Sequence, residues 1–316
     1  MISKCPICDS DNKKPVYELF DDRYGFRGFF KLYICSDCKH KFLENNFSNA
    51  DLTKLYSDYY PRRTFDVNSY RPLEEVKGFR GWLSGDFRSF SAVPKCVRVL
   101  DIGCGFCESL GYHQSRGCEV YGVEADKNAT KVADRFGFNV HIGTFDETAY
   151  PSEFFDYVTM DQVIEHVIDP VHTLKEIHRI LKKGGRFIAT TPNSNGFGTF
   201  FFGRKWINWH TPYHLHHFSK KSIYSLASRS GFRVESLRTL TSSEWFFYQW
   251  IHSSFFPKEG EVSSFWSPNS KGLSASQQKR LISLQRLKKL KLNSLITRIF
   301  DSIGFGDNWL IYFAKE

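Results

Sequence analysis

No apolar run in this sequence approaches the roughly 20 residues needed to cross a membrane. The first residues, Met1–Cys5, carry no secretory signal pattern, so a cytoplasmic protein is expected. Acidic residues are missing from 271–298, where eight lysines and arginines carry most of the net charge of +9. Because the rest of the chain is close to neutral, a broad basic surface for nucleic acid is not expected.

Composition bounds the architecture. The 316 residues are 41% hydrophobic and 24% charged, which is typical of a soluble globular protein with one large core and room for a small module. In a reducing compartment, the eight cysteines indicate metal ligands or buried thiols rather than disulfides.

Four of the cysteines form two Cys-x-x-Cys pairs, Cys5-Pro-Ile-Cys8 and Cys35-Ser-Asp-Cys38. Each pair can offer two thiolates, and four thiolates complete a structural Zn²⁺ site. Val16–Phe20 and Phe29–Ile34, which lie between the pairs, alternate well enough to be the strands of a zinc ribbon. A redox role is disfavoured because neither pair opens a helix.

The stretch Val97–Leu110 organises the rest of the chain. Val97–Ile102 is short and rich in β-branched and aliphatic residues, which predicts a buried parallel strand. Gly103 and Gly105 then allow a tight turn with positive φ and a close approach of the backbone to a ligand. A helix is expected to begin near Cys107, with its free N–H groups towards that ligand.

A second short strand, Glu119–Glu124, ends in a carboxylate 19 residues after Gly105. An acidic side chain at this position can accept both hydroxyls of a ribose. These residues resemble the class I S-adenosylmethionine-dependent methyltransferases, whose motif stands here as Val99-Leu-Asp-Ile-Gly-Cys-Gly-Phe-Cys107. Cys107 replaces the third glycine of the family and is expected to narrow the pocket. A nicotinamide-type Rossmann domain is the alternative.

The resemblance implies which residues hold the donor. They comprise the glycine loop, the acidic strand end, a turn that contacts adenine and two residues that face the methionyl part: Asp101, Gly103, Cys104, Gly105, Glu124, Ala125, Thr144, Phe145, Asp161 and Gln162. Tyr59-Tyr60, followed by Pro61, resembles a segment that folds over the donor in zinc-ribbon methyltransferases. Aromatic packing between modules is an equally open interpretation of this pair.

The fold class predicted for the region after the ribbon is a doubly wound α/β sheet, Rossmann-like and seven-stranded. The five later strands are predicted at Asn139–Ile142, Phe155–Met160, Arg186–Thr190, Phe232–Leu240 and Trp309–Ala314. In methyltransferases of this class, the last strand lies antiparallel between its neighbours.

Residues 1–45 are predicted to form a zinc ribbon, and residues 46–92 to form linker helices over the donor site. Residues 93–316 are predicted to form the catalytic domain, which carries a basic helical insertion at about 241–302. In the linker, Leu73–Phe90 is predicted to be a helix against the first strand of the catalytic sheet. In the insertion, Gln278–Phe300 is helical in composition, as one helix or two. Its basic face is either simply solvated or attracted to anionic lipid or phosphate groups. The aromatic loop Phe197–Trp209 has three open interpretations. It covers a pocket as a lid, it contacts lipid or a partner, or it fills the core.

Asp161–Pro170 follows the fourth strand, at the carboxyl edge where open α/β sheets bind ligands. Its Ile-Glu-His-Val-Ile-Asp-Pro run resembles the Leu-Glu-His-Val-x-Asp-Pro stretch of glycan- and quinone-modifying methyltransferases. His166 either takes a proton from an acceptor near neutral pH or is a structural histidine bonded to backbone at a helix start.

Trp209–Ser219 contains four histidines within eight residues. A metal site is one interpretation, but the cysteines already account for zinc, and methyl transfer in this family needs no metal. The stretch resembles the family pattern Trp-x-x-Pro-x-His-Leu-x-x-Phe-Ser, and in related sugar C-methyltransferases the histidine at the position of His214 lies in the acceptor site. His214 is therefore the first choice for base or acceptor ligand, while His216 and His217 are expected to pack or face solvent.

Together these patterns predict a cytoplasmic methyltransferase with S-adenosylmethionine as donor and a structural zinc. The acceptor implied by the resemblance is a sugar, nucleotide-linked or lipid-linked, in surface polysaccharide biosynthesis. The alternatives are a small-molecule O-methyltransferase that acts on a quinone or phenol, and a non-catalytic donor-binding module. Residues 271–298 are the candidate contact with the inner face of an anionic membrane.

Overall fold

Two β-sheets organise the chain, one of four strands and one of seven. The computed structural model describes residues 4–44, 47, 55, 58–59, 66–75, 78–85, 88–266 and 272–316. None of the helices in these ranges is both long and apolar enough to span a bilayer.

The small sheet contains the predicted ribbon strands, β1 (Lys13–Leu19) and β2 (Phe30–Cys35), followed by the short β3 (Lys41–Leu43). These strands are antiparallel, and β3 also pairs with β9 (His216–His217), which comes from the histidine-rich stretch far along the chain. The ribbon sheet is thus completed by a strand from the catalytic domain.

The large sheet has the strand order β10-β11-β8-β7-β4-β5-β6. Its strands are β4 (Arg98–Ile102), β5 (Glu119–Glu124), β6 (Asn139–Ile142), β7 (Phe155–Asp161), β8 (Leu181–Pro192), β10 (Arg233–Thr239) and β11 (Asn308–Ala314). All neighbouring pairs are parallel except those of β11, which lies antiparallel between β10 and β8. The predicted seven-stranded Rossmann-like sheet is confirmed. The strand order reverses at β4, so a crevice opens at its carboxyl end.

Helices connect these strands. In the described ranges they are α1 (Gly78–Ser84), α2 (Glu108–Gln114), α3 (Thr130–Phe136), α4 (Pro170–Ile180), α5 (Phe197–Phe202), α6 (Lys220–Arg229), α7 (Ser243–Ser254), α8 (Ala275–Lys289) and α9 (Leu292–Ser302). Local signals explain where they begin and end. The Asp169 side chain accepts from the backbone N–H of His172 at the start of α4, and Gly137 takes a left-handed φ of 68° at the end of α3.

The linker differs from its prediction. Within its described part, Leu73–Phe90 contains only the short helix α1, followed by a 3₁₀ turn at Ser89–Ala92. Glycines weaken the helix, and Gly85 ends it with a φ of 70°. Instead of lying on the catalytic sheet, α1 contacts α9 in the basic insertion.

Within the insertion, the stretch Gln278–Phe300 falls in two helices rather than one. The break falls at Lys291, which adopts a left-handed φ of 58° immediately before α9. In the order of the chain, α7, α8 and α9 lie between strands β10 and β11.

One hydrophobic core joins the ribbon to the catalytic domain. Ile7 and Phe42 of the ribbon are fully buried in the same cluster as Leu174 of α4 and Phe187 of β8. Because of this shared core and the β3–β9 pairing, the ribbon is expected to influence the position of the histidine-rich stretch.

Candidate active site

The glycine turn after β4 lies at the crevice of the sheet. Gly103 and Gly105 have φ values of 77° and 57°, so the turn requires the left-handed conformation that glycine adopts easily. The backbone N–H of Gly103 donates to the carbonyl of Val123 at 2.8 Å, which holds the turn against β5. A Cβ on Gly103 would collide with the Val163 side chain, so this position has no room for a larger residue.

Glu124 ends β5 beside that turn. Its Oε2 accepts from the backbone N–H of Gly105 and its Oε1 from that of Asp126, each at 2.9 Å. Burial raises the pKa of this carboxyl above its ordinary value. The two backbone bonds aim the carboxylate at the turn and leave lone pairs for further hydroxyl donors. This arrangement fits the ribose of S-adenosylmethionine.

We expect Glu124→Ala to weaken S-adenosylmethionine binding by about 1–3 kcal/mol, because ribose hydroxyls would be left unpaired in a buried site. Titration calorimetry on wild type and variant measures the difference. The matched control is Glu119→Ala, at the other end of β5, where the half-exposed carboxylate pairs with Arg98 at the surface. Equal losses in the two variants, or tight NAD binding in place of the sulfonium donor, would contradict the assignment.

Asp101 and Cys104 support the turn from beneath. Asp101 is buried and accepts from the hydroxyl of Thr159 at 2.7 Å and from that of Ser109. Burial raises the pKa of its carboxyl to about 7. Cys104 is buried next to Gly122. A Cβ atom on Gly122 would lie 2.7 Å from the Cys104 sulfur, so the two residues are in close contact. Donor contact by these two side chains stays a prediction.

Cys107 occupies the position of the family's third glycine. Its φ of 66° explains why glycine is usual there, since a left-handed conformation strains other residues. Its side chain is completely buried. The thiol packs in the same buried cluster as Cys104 and Leu110, and the expected narrowing of the pocket stays a prediction.

The other predicted donor residues surround the same edge. Ala125 follows Glu124, and the turn with Thr144 and Phe145 follows β6, where the N–H of Gly143 donates to the carbonyl of Glu124 at 2.9 Å. These placements are compatible with the predicted ribose and adenine contacts, which stay predictions.

Asp161 and Gln162 end β7 on the other side of the crevice. The Asp161 Oδ1 accepts from the backbone N–H of Ser89 at 3.1 Å and from the Thr190 hydroxyl at 2.9 Å. The Gln162 amide donates to the same Thr190 hydroxyl at 3.1 Å. The Ser89 contact brings the 3₁₀ turn of the linker to the donor crevice, the region over which linker helices were expected.

Tyr59 packs edge-to-face against Phe26, with 4.9 Å between ring centroids. This contact matches the interpretation of aromatic packing between modules, because Phe26 belongs to the ribbon segment. Tyr60 lies outside the described residues, so its predicted contact with the donor stays a prediction.

The two predicted catalytic histidines meet. The rings of His166 and His214 are perpendicular, with 4.5 Å between their centroids. The Nδ1–H of His166 donates to the carbonyl of Tyr213 at 3.0 Å, and that of His214 to the carbonyl of Asn208 at 2.8 Å. Because carbonyls only accept, Nδ1 carries a proton in both rings, and in the neutral form of each ring Nε2 then carries none. Burial lowers the pKa of His166 to about 4 and that of His214 well below its ordinary value.

Glu165 joins this pair and was missed by sequence reasoning. It is completely buried, its Oε2 accepts from the Thr191 hydroxyl at 2.9 Å, and its Oε1 has no hydrogen-bond partner among the described residues. Burial raises the pKa of this carboxyl to about 8. One ligand atom from each of Glu165, His166 and His214 lies within 4.8 Å of the others. The set can move a proton, and a carboxylate with two imidazoles can also bind a divalent cation.

His216 and His217 are both buried, which selects the packing interpretation over solvent exposure. They form β9, and the His216 Nδ1 lies 3.1 Å from the Nε2 of His40 in the ribbon. These two histidines therefore connect the ribbon to the stretch that carries His214. Their replacement is expected to lower the stability of the fold.

The four ribbon cysteines converge. The Sγ atoms of Cys5 and Cys38 are 3.5 Å apart, as are those of Cys8 and Cys35, and all four lie within 4.8 Å of one another. Tetrahedral zinc with Zn–S bonds of about 2.3 Å requires sulfurs at about this separation. The donor set therefore fits zinc. A hydrogen bond from Cys38 lowers the pKa of the Cys5 thiol below its ordinary value.

A seven-stranded sheet with an antiparallel last strand, a glycine turn after β4 and a carboxylate at the end of β5 define a class I methyltransferase. Residues 35–237, more than half of the chain, match the family model described as "Methyltransferase domain". The chain belongs to this methyltransferase family.

Individual relatives carry related names. The chain is 29% identical over 211 residues to the ubiquinone biosynthesis O-methyltransferase of Paracidovorax citrulli, which covers 61% of this chain and 84% of that protein. It is 31% identical over 147 residues to the protein of the same name from Cereibacter sphaeroides, covering 43% of this chain and 60% of that one. A solved S-adenosylmethionine-dependent methyltransferase from Mesorhizobium loti is 14% identical, with a TM-score of 0.45 over 71% of this chain and 94% of that chain.

Proposed function

We propose that this protein transfers a methyl group from S-adenosylmethionine to a phenolic hydroxyl of a small aromatic acceptor, of the kind that serves as a quinone precursor. The observation that carries the proposal is the pair of neutral histidines beside the donor crevice, the partly buried His166 and the buried His214. The names of the relatives, ubiquinone biosynthesis O-methyltransferases, support it. They favour the alternative derived from the sequence over the sugar acceptor.

Acidity of the acceptor distinguishes the two candidates. Burial makes both histidines weaker bases than ordinary imidazole. A phenolic hydroxyl loses its proton near a pKa of about 10, as tyrosine does, whereas a sugar hydroxyl is far less acidic. A weak base is therefore better matched to a phenol. Aromatic rings line the same region, since Tyr24 packs against Tyr213 and His210 with centroid distances of 5.6 and 5.9 Å.

The donor, when bound, supplies an electrophilic methyl group on a positively charged sulfonium. Glu124 and the Gly103–Gly105 turn would orient its nucleoside end, and Asp161 and Gln162 its methionyl end. Alignment of the acceptor oxygen with the methyl group is the main catalytic contribution available to such a site.

Proton removal falls to the histidines. As the acceptor oxygen forms its bond to the methyl carbon, its proton passes to Nε2 of His214, and the donor leaves as S-adenosylhomocysteine. The positive charge of the sulfonium disappears as that of the imidazolium forms, so the net charge of the buried site is unchanged. The Glu165 carboxyl lies next to this imidazolium and would stabilise it on ionisation.

A non-catalytic donor-binding module was the third possibility. It rested on Cys107 and the aromatic segments blocking the site. The complete burial of the Cys107 side chain argues against a block by this residue, and the match to a methyltransferase domain model supports an active enzyme.

The test is an acceptor screen with methyl-radiolabelled donor. Catechol and dihydroxybenzoates represent the phenols, and UDP-glucose and other nucleotide sugars represent the rival class. We expect label in the phenols and none in the sugars. The matched control is a fully O-methylated catechol, which has no hydroxyl to accept the label. Label in nucleotide sugars alone would contradict the proposal.

A further inference from the structure

Helix α9 is oriented with its polar face inward. Its buried residues include Asn293, Ser294 and Thr297, none of which is more than 4% exposed. On its opposite face, Leu295 is 56% exposed and Ile299 is 53% exposed. A helix on a globular protein normally does the reverse and buries its apolar stripe.

Hydrogen bonds hold α9 in this orientation. Arg298 is buried and donates to the carbonyl of Trp82 at 2.8 Å and to the carboxylate of Asp301 at 2.7 Å. The Asn293 amide donates to the carbonyl of Ser243 on α7 at 2.8 Å. Rotating the helix to bury its leucines would break these hydrogen bonds and remove the Arg298 guanidinium from its partners. The buried polar contacts therefore keep the apolar side of α9 outward.

The exposed apolar surface extends beyond α9. On one side α1 adds Phe79 and Trp82, which are 71% and 57% exposed. On the other side α5 adds Phe200, 73% exposed, and Phe201, whose ring lies 5.8 Å from Phe300 of α9. We call this surface, formed by the outward apolar residues of α1, α5 and α9, the apolar face. Monomeric soluble proteins rarely leave such a surface uncovered.

The charges next to the apolar face are positive. Helix α8 buries no residue, contains no acid and exposes Lys279, Arg280, Arg286 and Lys289. The acids of the neighbouring helices are already paired, Glu244 with Lys288 and Asp301 with Arg298. Only two residues separate α8 from α9, so the basic helix and the apolar face adjoin.

We propose that the apolar face inserts into the surface of an anionic phospholipid bilayer, with the cations of α8 on the lipid headgroups. Insertion of exposed aliphatic and aromatic side chains together with cationic attraction is the combination that binds peripheral proteins to such membranes. A second copy of the chain is a poorer occupant, because face-to-face pairing would bring two basic helices together.

Vesicle co-sedimentation of the full chain tests the proposal. The vesicles are phosphatidylcholine alone, or phosphatidylcholine with phosphatidylglycerol. We expect binding to the anionic vesicles that weakens as salt is raised, and little binding to the neutral ones. The double variant Leu295→Gln/Ile299→Gln should lower binding about 10- to 100-fold. The triple variant Arg280→Gln/Arg286→Gln/Lys289→Gln should do the same through charge.

The matched control is Tyr224→Gln, which removes an exposed aromatic ring from α6, outside the apolar face. It should bind vesicles as wild type does. Turnover on a soluble phenol should be equal in all these variants, so this test is independent of the proposed acceptor. Equal vesicle binding by wild type and the Leu295→Gln/Ile299→Gln variant would overturn the proposal. The proposal would also be overturned if wild type formed a dimer that the Leu295→Gln/Ile299→Gln variant dissociates, and did not bind vesicles.

Discussion

Replacing His214 with alanine should lower turnover about 10²–10⁴-fold while leaving donor affinity unchanged. The reason is that Nε2 of the neutral ring, whose Nδ1–H donates to the Asn208 carbonyl, is the proposed proton acceptor. The donor is expected to bind at the β4 turn and Glu124, which this change does not touch. Initial rates with a phenolic acceptor give the first quantity, and titration calorimetry the second.

Controls separate catalysis from packing, because His214 is buried. His172→Ala removes an exposed histidine from α4 and should leave the rate unchanged. His166→Ala should cause a smaller loss than His214→Ala. Thermal melting of each variant identifies any loss of folded protein. Full turnover by a folded His214→Ala protein would show that the acceptor pocket is placed wrongly.

The Glu165 cluster allows a competing explanation of such a loss. If its three side chains bound a divalent cation, Mg²⁺ or Mn²⁺ added to wild type would raise turnover. The proton-transfer account expects no stimulation by either ion. A strong stimulation that is lost in Glu165→Gln would assign the cluster to a cation.

Loss of the ribbon metal should be the largest structural effect. A structural zinc site contributes about 10–16 kcal/mol of apparent binding free energy at neutral pH, so Cys35→Ser should unfold the ribbon. Because β3 pairs with β9, the stretch that carries His214 should loosen with it and turnover should fall. Elemental analysis of purified wild type should find about one zinc per chain.

The matched control for the zinc site is Cys96→Ser, which changes an exposed cysteine outside the ribbon. It should retain the metal and the melting behaviour of wild type. Absence of zinc from wild type, together with rapid alkylation of the four ribbon thiols in the native protein, would contradict the zinc assignment.

Local patterns predicted most of the sheet. Asn139–Ile142 was predicted with its observed bounds, and the antiparallel position of β11 followed from the resemblance. A short aliphatic run or a glycine turn can be recognised from a few consecutive residues. The β4 turn and Glu124 at the end of β5 could therefore also be predicted from the sequence.

Long-range contacts could not be predicted. The two-residue strand β9 has no periodicity to detect. Its pairing with β3 places His216 against His40, which lies 176 residues earlier in the sequence. Glu165 sits beside the predicted His166 in sequence, but its burial follows from tertiary packing alone. The helical composition of Gln278–Phe300 was visible in the sequence, whereas the outward orientation of the apolar residues of α9 depends on the buried Arg298.

The most direct test of methyl transfer to oxygen is NMR spectroscopy of the product. Donor labelled with ¹³C in its sulfonium methyl group is turned over with the best phenolic acceptor from the screen. The account predicts a labelled methoxy carbon, bonded to oxygen on the aromatic ring, and no label elsewhere. A labelled methyl bonded to ring carbon or to nitrogen would contradict it.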